Sequence, residues 1–196
     1  MFTKSKNKTA GPYLVFGLGN PGRLYSGTPH NVGWDFLEYL RHNAGPAFSW
    51  KKQSSLQAET LTIPWIGEKL LLLRSLRFMN ESGLTLKKVK DFYKIPAGKI
   101  IIIHDDSDLN LGKVKLANSE SRSAGHHGVD SIFTQLKTRA ISRIKTGVRP
   151  QNSRAKADSF ILKKFTAEQK KITLQEIFPL LEKILTTLIK KSQDNS

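Results

Sequence analysis

The chain has 196 residues, enough for one domain with a substantial core. Its 32 lysines and arginines against 16 acidic residues give a net charge of +16, which favours a polyanionic partner, above all nucleic acid. The sequence contains no cysteine, which excludes disulfides, thiolate catalysis and zinc fingers. No apolar run approaches the roughly 18 residues of a membrane span, so we expect no membrane association.

Short apolar runs alternate with amphipathic segments along the chain, as in α/β domains. The predicted strands are 13–16, 56–63, 69–74, 101–103, 113–116 and 143–148. The predicted helices begin at residue 31 or 32, at Ser82 and near Val129, with a last helix kinked at Pro179. Phe92 and Leu174 are expected on the buried faces of their helices. The sequence therefore predicts a single α/β domain at 13–190, with a twisted mixed, largely parallel sheet flanked by helices.

Both ends of the chain are polar. Residues 1–12 contain lysines and no acids, so they are either a flexible basic tail or the remnant of a mitochondrial targeting segment. Residues 191–196 are predicted to be a polar tail. The N-terminus has no hydrophobic region of the kind found in signal peptides. We expect a soluble intracellular protein, in the cytoplasm or the mitochondrial matrix.

A glycine-rich loop follows the first predicted strand. Gly17, Gly19 and Gly22 have the spacing of a dinucleotide-binding fingerprint. That fingerprint needs a helix to open at the third glycine and face the pyrophosphate. Here Gly27 and Pro29 interrupt any such helix, so a nucleotide-dependent oxidoreductase is excluded.

Two polar segments at strand ends carry the candidate chemistry. His30 follows the glycine-rich loop and immediately precedes a helix, while Asp105 follows the buried run 101–103. A carboxylate bonded to one imidazole nitrogen fixes the tautomer and leaves the other nitrogen free to deprotonate water. The alternative, a metal site around Asp106 and Asp108, is weakened because the ligand spacing of calcium loops and zinc sites is missing. We therefore predict a His30–Asp105 pair and no metal.

Four motifs in this chain resemble the bacterial-type peptidyl-tRNA hydrolase family, in the family's order, from about Tyr13 to about Leu185. They are 17–22 with Tyr25 and 28–31 (GL-x-NPG, Y, T-x-HN), 78–83 (FMN-x-SG), 104–108 (HD-x-x-D) and 125–128 (GH-x-G). This chain has Pro29 where the family usually has arginine, Asp106 where it has glutamate, and His127 where it has a substrate-binding asparagine.

The resemblance implies the roles of the site residues. It implies His30 as the general base, oriented by Asp105, in hydrolysis of the ester between peptide and tRNA, with no metal and no organic cofactor. The residues implied to bind substrate or tRNA are Asn20, Tyr25, Phe78, Met79, Asn80, His127, Lys113, Lys115, Arg143 and Lys145. The implied partner is peptidyl-tRNA, held at its acceptor end and its phosphate backbone, in tRNA recycling during ribosome rescue. We expect a monomer.

A second hypothesis remains open. The family includes non-catalytic RNA-binding relatives among organellar splicing factors, and the changes at Pro29 and His127 are in keeping with such a role. The presence of His30, Asp105, Asn20 and Asn80 favours the enzyme.

Overall fold

A computed structural model describes residues 11–117, 121–151 and 153–194, which form seven strands and five helices. The predicted tail at 1–12 therefore lies almost wholly outside the described residues. The strands are β1 (Tyr13–Gly17), β2 (Lys51–Gln53), β3 (Ala58–Trp65), β4 (Glu68–Ser75), β5 (Ile100–Asn110), β6 (Val114–Ala117) and β7 (Ser142–Arg149). The helices are α1 (Val32–Ala44), α2 (Ser82–Phe92), α3 (His127–Leu136), α4 (Ala167–Ile172) and α5 (Phe178–Asp194).

All seven strands form one mixed sheet in the order β2-β3-β4-β1-β5-β7-β6. The four central strands β4, β1, β5 and β7 are mutually parallel, whereas β2, β3 and β6 pair antiparallel at the two edges. This arrangement confirms the predicted fold class. Because parallel neighbours end at the same edge of the sheet, the loops after β1, β4 and β5 meet there.

The central strands are apolar on both faces, since helices cover the sheet on both sides. In β1, Tyr13 and Val15 join the core under α1 and α5, whereas Leu14 and Phe16 join the core under α2 and α3. This strict alternation is the two-residue period of a strand with two buried faces.

The glycine-rich loop is explained by close packing. A Cβ on Gly17 would lie 2.4 Å from the carbonyl oxygen of Gly33, and one on Gly19 would lie 2.6 Å from the Trp34 ring. These contacts allow the start of α1 to lie directly against the end of β1. The glycines thus bring the segment before α1, which contains His30, over the edge of the sheet.

Two predictions about buried residues are wrong. Phe92, the last residue of α2, is 63% exposed, and Leu174 is 55% exposed. Leu174 lies in a π-helical segment, Thr173–Ile177, between α4 and α5. Such a segment has one residue more per turn, which shifts the helical stripe, so Ile177 and Phe178 are buried while Leu174 is not. The segment ends two residues before Pro179, which has no N–H to donate within the helix, and the kink at Pro179 stays a prediction.

The last helix continues to Asp194, four residues beyond the predicted end of the domain at 190. Among the described residues, no helix is long and apolar enough to cross a membrane.

Candidate active site

The predicted His30–Asp105 contact is present at the carboxyl edge of the parallel strands. Nδ1 of His30 lies 3.0 Å from Oδ1 and 3.1 Å from Oδ2 of Asp105. Asp105 is part of β5, which continues past the predicted run to Asn110. His30 lies in a 3-10 turn, Pro29–Asn31, directly before α1. Proline at the first position of a helical turn loses no hydrogen bond, so Pro29 is compatible with this conformation.

His126 is a second imidazole on the same carboxylate, and the sequence analysis missed it. Its Nε2 lies 2.8 Å from Oδ1 of Asp105, and its ring centroid is 5.0 Å from that of His30. The signal that indicates it is the GH-x-G motif, whose histidine is His126 in this chain.

The tautomer of His126 follows from its position as the N-cap of α3. The backbone N–H groups of Gly128 and Val129 donate to its Nδ1, at 3.1 and 3.4 Å. That nitrogen must therefore be unprotonated, so the proton of the neutral ring is on Nε2 and points at Asp105. Asp105 thus accepts one N–H from each histidine, and Nε2 of His30 keeps its lone pair.

The pKa values of the cluster follow from these contacts. Burial by itself would raise the pKa of Asp105, but His126 and His30 hold it well below its usual range. Burial by itself would lower the pKa of His30, but the Asp105 carboxylate raises it above its ordinary value. The neighbouring His104, which donates from Nδ1 to the Asp105 carbonyl oxygen, has its pKa lowered by burial to about 3 and stays neutral.

A cavity of about 110 Å³ adjoins the His30 ring, with walls from the strand end, from the segment before α3, and from 157–161. The backbone N–H of His30 donates to the carbonyl oxygen of Ile161 at 3.0 Å, which fixes this segment beside the ring. Asp158 adds a carboxylate to the wall. A space of this size beside a free imidazole nitrogen is large enough to hold water.

The same three residues have the spacing of a metal site, since one ligand atom each from His30, Asp105 and His126 lies within 4.8 Å of the others. The cap of α3 opposes that use. An ion on Nε2 of His126 would place the ring proton on Nδ1, facing the N–H groups of Gly128 and Val129. The arrangement therefore favours two hydrogen bonds to Asp105 over a metal ion.

Asn20 is fixed by backbone contacts from two other elements. Its Oδ1 accepts from the backbone N–H of Met79 at 2.7 Å. The Asn31 side chain, which sequence reasoning also missed, makes two hydrogen bonds of 2.9 Å with the main chain of Asn20. Its Oδ1 accepts from the N–H of Asn20, and its Nδ2 donates to the carbonyl oxygen of Asn20. The amide N–H groups of Asn20 form no hydrogen bond with the described residues, so Asn20 can donate them to substrate.

The contact of Met79 with substrate stays a prediction. Its side chain is 4% exposed and packs under Gly128, where a Cβ would meet the sulfur at 2.5 Å. Met79 therefore acts through its backbone N–H, which orients Asn20.

The other residues from the substrate motifs are accessible. Phe78 is 52% exposed, and its ring meets the Tyr25 ring edge-on with centroids 6.1 Å apart. Asn80 and His127 are exposed, in the turn before α2 and at the first residue of α3 respectively. Tyr25 and Phe78 follow β1 and β4 in the chain, and the contact of these side chains with substrate stays a prediction.

Of the four residues predicted to contact phosphate, three are lysines on or beside β6 and β7 that reach solvent, and the fourth is a buried arginine. Lys113 is exposed directly before the edge strand β6, and Lys115 is exposed within it. Lys115 pairs in register with Lys145 of β7. Lys145 forms an ion pair with Asp106. Arg143 is only 1% exposed, with its guanidinium 5.1 Å from the centre of the Phe133 ring. The Arg143 side chain is therefore enclosed beside α3, and its contact with a phosphate stays a prediction.

The chain is similar to known proteins in sequence and in fold. The sequence profile of the family described as peptidyl-tRNA hydrolase matches residues 14–196. A peptidyl-tRNA hydrolase of Thermoanaerobacter sp. (strain X514) is 37% identical over 174 residues, 88% of this chain and 91% of the relative. One from Listeria monocytogenes is 41% identical over 137 residues, 69% of this chain and 70% of the relative. The crystal structure of the Acinetobacter baumannii enzyme superposes with a TM-score of 0.81 at 24% identity, covering 94% of this chain and 91% of that one. The chain belongs to the peptidyl-tRNA hydrolase family.

Proposed function

We propose that this protein hydrolyses the ester bond of peptidyl-tRNA, releasing free tRNA and a peptide. The observation that carries the proposal is the His30–Asp105–His126 cluster, with a free imidazole nitrogen at a small cavity, in a chain that belongs to this family.

His30 accepts a proton from water at Nε2 as the water oxygen attacks the ester carbonyl. Asp105 holds the Nδ1 proton and stabilises the imidazolium that forms. The ester bond then breaks, and the ribose oxygen takes up the proton from His30. Asn20 donates its free amide N–H to the acyl part of the substrate.

His126 acts as a positioning residue. Its hydrogen bond occupies Oδ1 of Asp105, and its Nδ1 anchors it to the first turn of α3. The carboxylate therefore cannot rotate away from His30 without losing a buried hydrogen bond, which typically costs about 1–3 kcal/mol.

The remaining contacts divide between the two parts of the substrate. Tyr25 and Phe78 provide an aromatic surface beside the cleft for the peptide, with Asn80 and His127 as polar contacts. Lys113, Lys115 and Lys145 provide positive charge along one sheet edge for the tRNA backbone, which makes binding dependent on salt. The monomeric state and the compartment, cytoplasm or mitochondrial matrix, stay predictions.

The second candidate is a non-catalytic RNA-binding protein, which the exposed His127 in place of asparagine favours. The same assay separates the two. N-acetylated aminoacyl-tRNA is incubated with the protein, with His30→Ala, and with His42→Ala as a control, since His42 is an exposed histidine on α1.

We expect His30→Ala to lower the hydrolysis rate by about 10²–10⁴-fold, because it removes the general base. Its affinity for tRNA, measured by filter binding, should match that of the unchanged protein, and His42→Ala should retain normal turnover. Normal turnover by His30→Ala would refute the mechanism. Hydrolysis by none of the three proteins, with normal tRNA binding, would favour the RNA-binding candidate.

A further inference from the structure

A second cavity, of about 400 Å³, lies away from the histidine cluster between α1, the π-helical segment and the Gly27 turn. We call it the α1–α5 cavity. Its apolar wall comprises Tyr39, Phe165, Leu174 and Phe178. Its volume is near the lower end of the range for ligand sites, roughly 300–1,000 Å³. A molecule of the size of one amino acid fits such a space.

The cavity also contains an anion without a partner. Asp35 of α1 is half-buried, and its carboxylate makes no hydrogen bond or ion pair with any of the described residues. The neighbouring Glu38 differs, because it bonds to Arg41, Arg74 and Trp50. A carboxylate left unpaired in a partly enclosed site costs stability, and a ligand ammonium group would offset that cost.

The cation on the opposite wall is Lys170 of α4. Its ammonium group lies near Gly27, about 4.0 Å from where a Cβ would be, and it forms no ion pair within the described part of the chain. Lys170 and Asp35 line the same cavity but do not come within salt-bridge distance of each other. Among the described residues, the cavity thus combines the unpaired carboxylate of Asp35, the unpaired ammonium of Lys170 and an aromatic wall, and it is also lined by the Glu38–Arg41 ion pair and by His42.

From this arrangement we propose that the α1–α5 cavity binds a free α-amino acid with an aromatic or branched apolar side chain. The ligand ammonium contacts Asp35, the ligand carboxylate contacts Lys170, and the side chain lies against Phe165 and Leu174. The partial exposure of Leu174, which results from the π-helical segment, provides apolar surface at the cavity mouth. The site does not depend on the proposed hydrolase activity.

The test uses three probes that differ only in their charged groups. L-phenylalanine carries both, phenethylamine lacks the carboxylate, and 3-phenylpropionate lacks the ammonium. Each is titrated by NMR into the whole protein, into Asp35→Asn and into Lys170→Gln. The matched controls are Glu176→Gln and Lys171→Gln, which change exposed residues of the same helical stretch outside the cavity.

We expect L-phenylalanine to bind with a dissociation constant of about 1 mM or below, as for small ligands held by a few polar contacts. Asp35→Asn should weaken the binding of L-phenylalanine and phenethylamine about 10-fold and leave that of 3-phenylpropionate unchanged. Lys170→Gln should weaken the binding of L-phenylalanine and 3-phenylpropionate about 10-fold and leave that of phenethylamine unchanged. The amide signals that shift should include those of Gly27 and Asp35. No saturable binding up to about 10 mM, equal effects of cavity and control variants, or shifts centred elsewhere would overturn the proposal.

Discussion

Two aspartates that lie largely out of solvent have opposite electrostatic surroundings. Asp105 accepts hydrogen bonds from two imidazoles, and they hold its pKa below the usual range despite burial. Asp35 has no hydrogen-bond partner among the described residues, and burial raises its pKa to about 6 against the opposing charges of Arg74 and Lys170. Burial raises the pKa of both side chains, so the difference comes from the two imidazoles at Asp105, which act through their charge and then through their hydrogen bonds.

The comparison separates two ways in which a protein can hold a carboxylate at a functional site. Asp105 is fully satisfied and therefore rigid, as a residue that orients a general base should be. Asp35 is left unsatisfied at a cavity, where a ligand can complete its contacts. Substitutions at Asp105 and Asp35, and at residues beside Asp105, test this difference by its effects on the hydrolysis rate and on stability.

The largest expected effect is that of Asp105→Asn, which removes the charge from the histidine cluster while keeping the shape of the side chain. The amide has an NH2 donor in place of one acceptor oxygen, which favours the wrong tautomer of His30. We expect the hydrolysis rate to fall by about 10²–10⁴-fold, measured with N-acetylated aminoacyl-tRNA at pH 8.

The pH dependence of that variant provides a second readout. His30 is active when unprotonated, and the Asp105 charge raises its pKa, so the rate of the unchanged protein falls as the pH drops through that raised value. In Asp105→Asn only the opposing effect of burial remains, and the acid limb should move to lower pH. An acid limb at the same pH in both proteins would mean that Asp105 does not act on His30.

At Asp35 the expected effect is on stability. Because its pKa is raised, the folded state binds more protons than the unfolded state between about pH 4 and pH 6, and stability falls as the pH rises through that window. Asp35→Asn removes the penalty, so it should raise the free energy of unfolding by about 1–3 kcal/mol at pH 7. Urea unfolding at pH 7 and pH 3.5 measures this. A gain that persists at pH 3.5, where both side chains are neutral, would point to packing instead.

His126→Ala makes the surroundings of Asp105 more like those of Asp35, by removing one of its two donors. We expect the rate to fall about 10-fold, from looser orientation of the carboxylate. Loss of the α3 cap should lower stability by about 0.5–2 kcal/mol. His126→Asn can cap α3 but is too short to keep both contacts, so it should recover stability more than activity. Equal recovery of both would assign His126 a structural role alone.

The sequence predicted those parts of the fold and site that depend on local patterns. The alternating apolar runs indicated the sheet and its parallel centre, and the strand-end positions of His30 and Asp105 indicated their contact. It did not predict the contact between His126 and Asp105, because that depends on how α3 is placed against β5. The sequence indicated Arg143 as a surface cation, because its burial against the Phe133 ring depends on tertiary packing. The π-helical segment turns Leu174 away from the buried side of its helix, and a prediction based on a regular 3.6-residue period cannot include that turn.

The smallest expected effect is that of His127→Asn, which restores the residue that the family has at this position. His127 is exposed at the start of α3, next in sequence to His126, and it does not touch Asp105. An asparagine side chain offers two donors and an acceptor, whereas a neutral imidazole offers one of each. We therefore expect one additional hydrogen bond to the substrate and an affinity about 3–10-fold higher at pH 8, from a contact of about 0.5–1.5 kcal/mol. The measurement is KM for N-acetylated aminoacyl-tRNA, with Asp130→Asn, an exposed change in the same helix turn, as the control. A changed kcat with the same KM would instead place His127 beside the reacting ester, and so extend the histidine cluster around Asp105 by one member.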